Sequence, residues 1–376
     1  MSIRRVLIHT YSDPLSPPWP SAEGPVTRRA GSILILEEED GRVGLGETAP
    51  WPGFGLETHA SSVAALRLAA RRLVGLPADA YLAAAADLPR LAQVAAAPCA
   101  RHAIDLALHD LAAQHAGCSI ARILGEGRAL ADVPVNAVIP WLSARETADA
   151  ARRLVSSGWG TLKIKVGSLP LDEDVARVRA ARDAVGSRTR LRIDANQSWP
   201  EQDAIRALDA LRDLDLEYCE QPVAADAIDA MARVRAASAV PIAADEAVRD
   251  AATLRRIAAA KAADVVIIKP MALGGLVAAR SIAIEAMDAG LPVVVTSMLE
   301  SAVGQTGALH LAASLGPTPF AHGVGSSLAA GPAEPWPEGT AAGRIRVPTE
   351  AGLGATLDER FIGTALVAAA GEGSDG

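Results

Sequence analysis

Five charged residues occur near the ends of apolar, β-rich segments in the order Lys, Asp, Glu, Asp, Lys: Lys165, Asp194, Glu220, Asp245 and Lys269. Neighbouring strands lie about 4.8 Å apart, so carboxylates on three consecutive strands can converge on one cation. All-oxygen ligation without His or Cys favours a hard ion, Mg²⁺ or, as the alternative, Mn²⁺. A single such acid is usually a helix cap or loop anchor. Because an unpaired buried charge costs several kcal/mol, the ordered set of five predicts an active site.

The two lysines indicate what this site would do. A cation at the oxygens of a substrate carboxylate stabilises the charge that develops when the adjacent proton is removed. The base must be neutral near pH 7, whereas a free Lys titrates near about 10.4. The cation and the second ammonium are expected to lower the pKa of the base. Lys163 lies two residues before Lys165, on the same strand face, and adds to this effect.

A strand–helix rhythm begins at residue 133, and it predicts how these side chains are held. From residue 161 onward, successive strand starts differ by about 20 to 30 residues, the size of a βα unit. The pattern predicts an α/β fold, a (β/α)8-type barrel rather than an open doubly wound sheet, with the charges at its active end. Lys165 and Lys269 then fall on the second and sixth strands and face each other across the barrel. The eight predicted strands are Val133–Pro140, Thr161–Gly167, Arg190–Asn196, Glu217–Gln221, Pro241–Glu246, Asp264–Lys269, Pro292–Ser297 and Ala321–Gly325, with helices such as Asp172–Ala184, Gln202–Asp213 and Leu276–Ala289 between them.

The sequence pattern predicts three units. They are an α+β capping domain at residues 1–128, the barrel at residues 129–328, and a segment at residues 329–376 that returns to the capping domain. The capping domain contains two turn-rich loops, and Trp19, Trp51 and Phe54 in them either line a pocket mouth or fill small clusters beneath the loops. Its predicted elements are a strand at 3–10, a Pro-rich loop Ser12–Pro25, a hairpin Gly31–Glu39 and Arg42–Glu47, a loop Ala49–Gly55, and helices Ser61–Leu73, Ala78–Asp87, Leu88–Ala96 and Ala100–His115. The last segment has one predicted strand, Gly343–Pro348, and an end expected to fray at Gly371–Gly376.

Composition excludes several classes of protein. Half of the 376 residues are apolar, and the net charge of −8 is spread without a basic block, which argues against nucleic-acid or membrane partners. Cys99, Cys118 and Cys219 lie far apart, which suits a reducing cytoplasm. The basic N-terminus has no apolar stretch long enough for export, and no run approaches the roughly 20 apolar residues of a spanning helix. These features predict a cytoplasmic enzyme acting on a small-molecule carboxylate, and they leave association into a homo-oligomer open.

The motifs around the charges carry a family resemblance. The ordered set Lys-Ile-Lys, Asp-Ala-Asn, Glu-Gln-Pro, Ala-Asp-Glu and Ile-Lys-Pro resembles the muconate-lactonizing subgroup of the enolase superfamily over nearly the whole chain, and that superfamily uses a Lys or His base with Mg²⁺. The resemblance implies that a capping domain closes the barrel mouth with its two loops. The implied roles are Mg²⁺ ligands for Asp194, Glu220 and Asp245, base for Lys165, opposite lysine for Lys269, and supporting residues for Lys163, Asn196 and Glu246.

Two further stretches, Gly44–Thr58 and Thr296–Gly304, resemble the o-succinylbenzoate synthases of that superfamily. The resemblance implies syn-dehydration of a succinyl-substituted cyclohexadiene carboxylate on the route to menaquinone. The base would take the α-proton and then, as the conjugate acid, assist departure of the hydroxyl from the same face. Ser297, Glu300, Ser301 and Gly304 would contact the substrate or shape its pocket, with helix capping as an equal alternative for Glu300 and Ser301.

Other reactions stay open. Racemases and epimerases of the subgroup use the same two lysines, one on each face, and an N-succinyl-amino-acid racemase shares the pocket for a succinyl group. Phe320–Gly325 lacks the Asp-x-Asp pair expected of a dipeptide epimerase, and His322 there is expected to be a packed loop residue. A class I aldolase with a Schiff-base lysine conflicts with three adjacent carboxylates. A non-enzymatic acid-binding barrel conflicts with the intact set of five charges.

Overall fold

The computed structural model describes residues 1–19, 26–325, 343–357 and 366–371. The N-terminal domain is an antiparallel sheet packed against helices, with strand order β13 (Leu366–Gly371), β1 (Ile3–Trp19), β2 (Val26–Glu38) and β3 (Val43–Thr48). Alternating buried residues of β1 and β2 face α1 and α3, whose apolar sides share one core with them. Its elements are β1 (Ile3–Trp19), β2 (Val26–Glu38), β3 (Val43–Thr48), α1 (His59–Leu73), α2 (Tyr81–Asp87), α3 (Pro98–His115) and α4 (Ile120–Leu124).

The second unit is a curled parallel sheet of seven strands surrounded by helices, with strand order β11-β10-β9-β8-β7-β6-β5. Its strands are almost wholly buried, as expected for a parallel sheet covered on both faces. The strands are β5 (Ala137–Ile139), β6 (Thr161–Lys165), β7 (Arg190–Asp194), β8 (Leu216–Glu220), β9 (Ile242–Ala244), β10 (Val265–Ile268) and β11 (Val293–Val295). The helices are α5 (Ala144–Ser156), α6 (Leu171–Val185), α7 (Glu201–Ala210), α8 (Ile228–Ala237), α9 (Ala251–Ala259), α10 (Pro270–Leu273), α11 (Leu276–Asp288) and α12 (Ala302–Ser314).

A short segment joins the two edges of this sheet. Gly323 bridges Thr296 beyond β11, and His322 bridges Val135 before β5, both in parallel orientation. The bridging segment takes the eighth position of the ring, so β6 and β10 stand four positions apart. The predicted fold class, a barrel-type α/β unit with a small N-terminal α+β domain, is confirmed.

The end of the chain contacts both units. β13 (Leu366–Gly371) pairs with β1 in the N-terminal sheet, and β12 (Arg344–Arg346) pairs with β4 (Asp132–Pro134) beside the barrel. Residues 326–342, 358–365 and 372–376, including most of the predicted frayed end, lie outside the described residues.

Several predicted elements were wrong. In the predicted loop Ser12–Pro25, residues 12–19 are strand, because β1 pairs with β2 well beyond residue 10 and reaches Trp19, and residues 20–25 lie outside the described residues. The helix Leu88–Ala96 is only a 3-10 turn at Leu88–Arg90 followed by turns. The first predicted barrel strand splits into β4 and β5, which pair with different partners, and the eighth is reduced to two bridges. In the described part of the chain, no helix has the length and apolar character needed to cross a membrane.

Candidate active site

Strand register brings the predicted residues to one end of the barrel. Lys165 is aligned with Asp194 across β6 and β7, and Asp194 with Glu220 across β7 and β8. Asp245 follows β9 by one residue, and Lys269 follows β10 directly. Each therefore lies at the carboxyl end of its strand, where barrel loops gather.

The ammonium groups lie directly against the carboxylates. Lys163 Nζ is 2.7 Å from both Asp194 Oδ2 and Glu220 Oε1. Lys165 Nζ donates to Asp194 Oδ2 at 2.6 Å and to Asn196 Oδ1 at 2.6 Å. Across the barrel, Lys269 forms an ion pair with Asp245. Asn196 Nδ2 also donates to Glu246 Oε1 at 3.1 Å, which fixes the amide that faces Lys165.

Mutual electrostatics set the pKa values of these buried groups. Burial opposes their charged forms, but the neighbouring carboxylates outweigh it and raise the pKa of Lys163 and Lys269. Burial likewise opposes ionisation of Asp194, yet two lysines hold its pKa below the ordinary value. Burial and the Asp194 carboxylate raise the pKa of Glu220 to about 7. The protein side chains alone thus favour the charged forms of Lys163 and Lys269.

The donor set suits a hard divalent cation. Asp194, Glu220 and Asp245 are buried carboxylates on three adjacent strands, and Oε2 of Glu220 has no hydrogen-bond partner. Such an orphaned buried oxygen is a natural ligand atom. Among the described residues, no three acidic, His or Cys side chains are already gathered at ligating separations. Since Lys163 stands between two of the three, their convergence on one cation stays a prediction.

A cavity of about 480 Å³ opens above these groups. Lys165 and Lys269 both line it, and Trp51 and Phe54 from the loop after β3 contribute to its mouth. The ring of Phe54 lies 4.8 Å from Lys269 Nζ, in cation–π contact. The predicted site residues on its wall are Lys163, Lys165, Asp194, Asn196, Glu246, Lys269, Ser297, Trp51 and Phe54. The side chain of Trp19 lies outside the part of the structure that is described.

Three predicted substrate-binding residues are not on the cavity wall. Ser301 is the N-cap of α12, and its backbone N and Oγ donate to Glu47 at 2.8 and 2.6 Å. Gly304 N donates to the same carboxylate at 2.8 Å. The Glu300 carboxylate accepts from Met298 N at 2.6 Å, and burial together with the charge of Glu47 raises its pKa to about 7. Ser301 and Gly304 thus fasten α12 to the N-terminal domain through Glu47, and Glu300 closes the loop before α12. A role for these three residues in contacting the substrate or shaping its pocket stays a prediction.

Sequence reasoning missed three residues near the site. Gln221 Oε1 accepts from the backbone N of Asp245 at 2.9 Å and so positions that acid, a role its place beside Glu220 could have suggested. Trp141 lines the cavity from the loop after β5. Arg29, on β2, is buried and contacts the loops on both sides of the cavity mouth. Nothing in two adjacent arginines within a hairpin strand indicates that one of them makes such contacts.

Comparisons with known proteins agree with this architecture. Residues 4–125 match the family model of the mandelate racemase / muconate lactonizing enzyme N-terminal domain. Residues 146–361 match the model described as enolase C-terminal domain-like. Together the two matches span both structural units.

Individual relatives differ in reaction. An o-succinylbenzoate synthase of Thermobifida fusca (strain YX) is 45% identical over 212 residues, which are 56% of this chain and only 64% of that protein. A crystal structure of an N-succinyl Arg/Lys racemase from Bacillus cereus superposes with a TM-score of 0.88 at 27% identity, covering 98% of this chain and 99% of the other. A dipeptide epimerase from Cytophaga hutchinsonii, crystallised with Mg and D-Ala-L-Val, superposes with a TM-score of 0.87 at 28% identity, covering 96% and 97%.

Proposed function

Because the chain belongs to the mandelate racemase / muconate lactonizing enzyme family of the enolase superfamily, we propose that it is a Mg²⁺-dependent dehydratase that forms o-succinylbenzoate. One observation carries the proton-abstraction chemistry: Lys165 and Lys269 line one cavity from strands four positions apart, with three buried carboxylates on the strands between them. The 45% identity to an o-succinylbenzoate synthase over part of the chain supports dehydration as the outcome.

Asp194, Glu220 and Asp245 would hold the cation. When bound, Mg²⁺ supplies positive charge at the substrate carboxylate and so makes the adjacent proton more acidic. Gln221 keeps Asp245 in place through its backbone, and Lys163 keeps Asp194 and Glu220 apart at a fixed spacing. Mn²⁺ is the alternative ion for the same oxygen donors.

Lys165 is the proposed base. Its neutral amine takes the α-proton, the C–H electron pair moves into the conjugated carboxylate, and the resulting ammonium returns a proton to the departing hydroxyl, so that the C–O bond breaks and water leaves. Asn196 holds Nζ of Lys165 at 2.6 Å and orients it during both transfers. Lys269 stays an ammonium on the opposite side and stabilises the negative charge that develops.

The rest of the substrate would face an uncharged wall. The ring positions opposite the acidic strands are β11, the bridging segment and β5, which present Thr296, Ser297, Gly323, Val138 and Trp141 to the cavity. No carboxylate among these residues could pair with an α-ammonium group. That wall suits a ring or an acyl chain better than the free amine of a dipeptide.

An N-succinyl-amino-acid racemase, or another epimerase or cycloisomerase of the subgroup, is the second candidate. Racemisation needs one proton-transfer group on each face, and Lys165 and Lys269 stand on opposite sides of the cavity. The full-length structural likeness to an N-succinyl Arg/Lys racemase supports it. The two candidates differ in whether Lys269 transfers a proton.

Turnover of the succinyl-hydroxycyclohexadiene carboxylate, followed by ultraviolet absorbance with Mg²⁺ and then with chelator, tests the proposal. We expect rapid metal-dependent loss of the diene that disappears in Lys165→Ala. Solvent deuterium entering N-succinyl-amino acids faster than the diene is dehydrated would transfer the assignment to the racemase. Absence of both reactions in a folded, Mg²⁺-loaded protein would overturn both.

A further inference from the structure

Arg29 is a buried arginine that the proposed chemistry does not use. It lies on β2, is only 6% exposed, and stands in the N-terminal sheet rather than in the barrel. Its guanidinium forms no ion pair among the described side chains. A buried charge of this kind is costly unless its hydrogen-bond donors are satisfied in another way.

Backbone carbonyls satisfy all five of its donors. Nε donates to Leu299 O at 2.9 Å and Nη2 to Met298 O at 3.0 Å, both on the loop after β11. Nη1 donates to Pro50 O at 3.0 Å, and Nη2 also donates to Ala49 O, both on the loop after β3. The fifth bond runs from Nη1 to Ala30 O at 3.0 Å, within β2 itself. The planar guanidinium of Arg29 thus joins two loops that are distant in sequence.

Both loops border the proposed active site. The loop at 49–55, which we call the lid loop, carries Trp51 and Phe54 to the cavity, and the Arg29 guanidinium carbon lies 5.4 Å from the centre of the Trp51 ring. The loop at 296–299, which we call the β11 loop, lines the cavity from the barrel. Arg29 itself does not line the cavity.

The β11 loop also needs an external support. Leu299 has a backbone φ of 62°, a left-handed conformation that is unfavourable for a non-glycine residue. Residues in such conformations persist when their surroundings over-determine them. The bond from Arg29 Nε to the Leu299 carbonyl is one such constraint.

We propose that Arg29 is a positioning residue that fastens the lid loop to the β11 loop and so keeps the substrate-binding form of the cavity populated. It acts through Trp51, Phe54 and the residues of the β11 loop rather than by touching the substrate. If binding requires the fastened arrangement, apparent affinity falls in proportion to the fraction of molecules in that arrangement. The kinetic part of this inference rests on the proposed function, but the loop attachment itself does not.

The test compares Arg29→Met with Arg29→Lys and with the control Arg28→Met. Arg28 is the preceding residue, is exposed, and donates to Ser12 Oγ on the neighbouring strand, so it controls for loss of an arginine from the same strand. Lysine keeps the charge but offers three donors instead of five, which predicts an intermediate effect. Hydrogen exchange resolved by peptide, and KM and kcat for the active substrate, are measured for each.

We expect Arg29→Met to speed amide exchange about tenfold or more in the lid and β11 loops, with the barrel strands unchanged. KM should rise about tenfold with kcat within about threefold of the parent, because saturating substrate repopulates the fastened arrangement. Arg29→Lys should lie between the parent and Arg29→Met, and Arg28→Met should match the parent.

Several outcomes would overturn the inference. Unchanged loop exchange or unchanged KM in Arg29→Met would do so, as would a fall in kcat alone or faster exchange throughout the N-terminal domain, which marks a purely structural role. Failure of both Arg29 variants to fold would make the arginine a determinant of folding instead. If the parent turns over none of the proposed substrates, the proposed function fails, and the exchange experiment still decides the loop attachment.

Discussion

Two sides of the same cavity differ sharply in chemistry. From β6 to β10 every strand ends in a charged residue of the predicted set or is followed directly by one. From β11 through the bridging segment to β5, the described residues that line the cavity have uncharged side chains. The charged side carries the groups of the proposed proton abstraction. The uncharged side carries no member of that set, so we expect discrimination between a dehydratase, a racemase and a dipeptide epimerase to arise there.

Removing the proposed base from the charged side should have the largest effect on activity. We expect Lys165→Ala to lower kcat by about 10³- to 10⁴-fold, because the α-proton loses its acceptor and general acid–base catalysis typically contributes up to about that factor. Diene absorbance measures the loss, with the exposed Lys261→Gln as control. Residual activity above a tenth of the parent would assign the base elsewhere.

Removing one predicted ligand tests the cation on the same side. We expect Glu220→Gln to weaken Mg²⁺ binding by about 10²-fold or more, since an amide oxygen lacks the charge that attracts a hard ion. Calorimetric titration of Mg²⁺ measures this directly, and chelator should abolish turnover of the parent reversibly. The control Glu201→Gln, at the start of α7, should bind Mg²⁺ like the parent. Equal binding by Glu220→Gln would remove Glu220 from the ligand set.

A small change on the uncharged side should alter substrate binding more than chemistry. A Cβ at Gly323 would stand 2.7 Å from Thr296 Cγ2, so Gly323→Ala must shift the Thr296 side chain or the bridging segment, both of which line the cavity. Overpacking of this kind costs about 1–3 kcal/mol, and we expect KM to rise about tenfold with a smaller change in kcat. Gly160→Ala, where the added methyl meets open space, is the matched control. A loss confined to kcat would mean that this wall takes part in the chemical step.

The smallest effect concerns stability rather than activity. Burial and the Glu47 carboxylate raise the pKa of Glu300 to about 7 in the folded protein, from 4.5, with Arg29 and Tyr11 nearby on β2 and β1. The folded state therefore holds the proton more tightly, and stability falls as pH rises from about 4.5 to about 7 and then levels off. The expected fall is on the order of 3 kcal/mol.

Urea unfolding across this pH range should show that Glu300→Gln lacks this fall. Glu146→Gln is the control, because hydrogen bonds from Ser143 lower the pKa of Glu146 and its contribution has the opposite sign. Identical pH dependence in the parent and Glu300→Gln would show that Glu300 does not titrate in this range.

The accuracy of the predictions from sequence differed between strands, helices and loops for physical reasons. The barrel strands from Thr161 to Val295 were found within a few residues, because a buried parallel strand is a short apolar run between helices of regular length. The helix predicted at Leu88–Ala96 failed, since an Ala- and Leu-rich run satisfies a helical pattern whether or not tertiary packing continues it beyond one turn. The Pro content after residue 11 predicts a loop, yet pairing with β2 extends the strand to Trp19.

Within the site too, some residues could be assigned from the sequence and others could not. Lys165, Asp194 and Lys269 could be placed from sequence alone, because a charge at the end of an apolar strand is rare without a function. Glu300 and Ser301 could not be assigned, because whether they face the cavity or cap α12 depends on where Glu47 lies after folding.

The amino-acid sequence by itself determined the order of charges along successive strands, and with it the family. Those features are local, since strand alternation and segment length follow from neighbouring residues. Tertiary structure alone decided which loops meet at the cavity mouth, that Arg29 joins them, and that the described side chains on the wall opposite the acidic strands are uncharged. Such contacts join residues as far apart as Arg29 and Leu299, and no local pattern encodes a partner that only the closed barrel brings into reach.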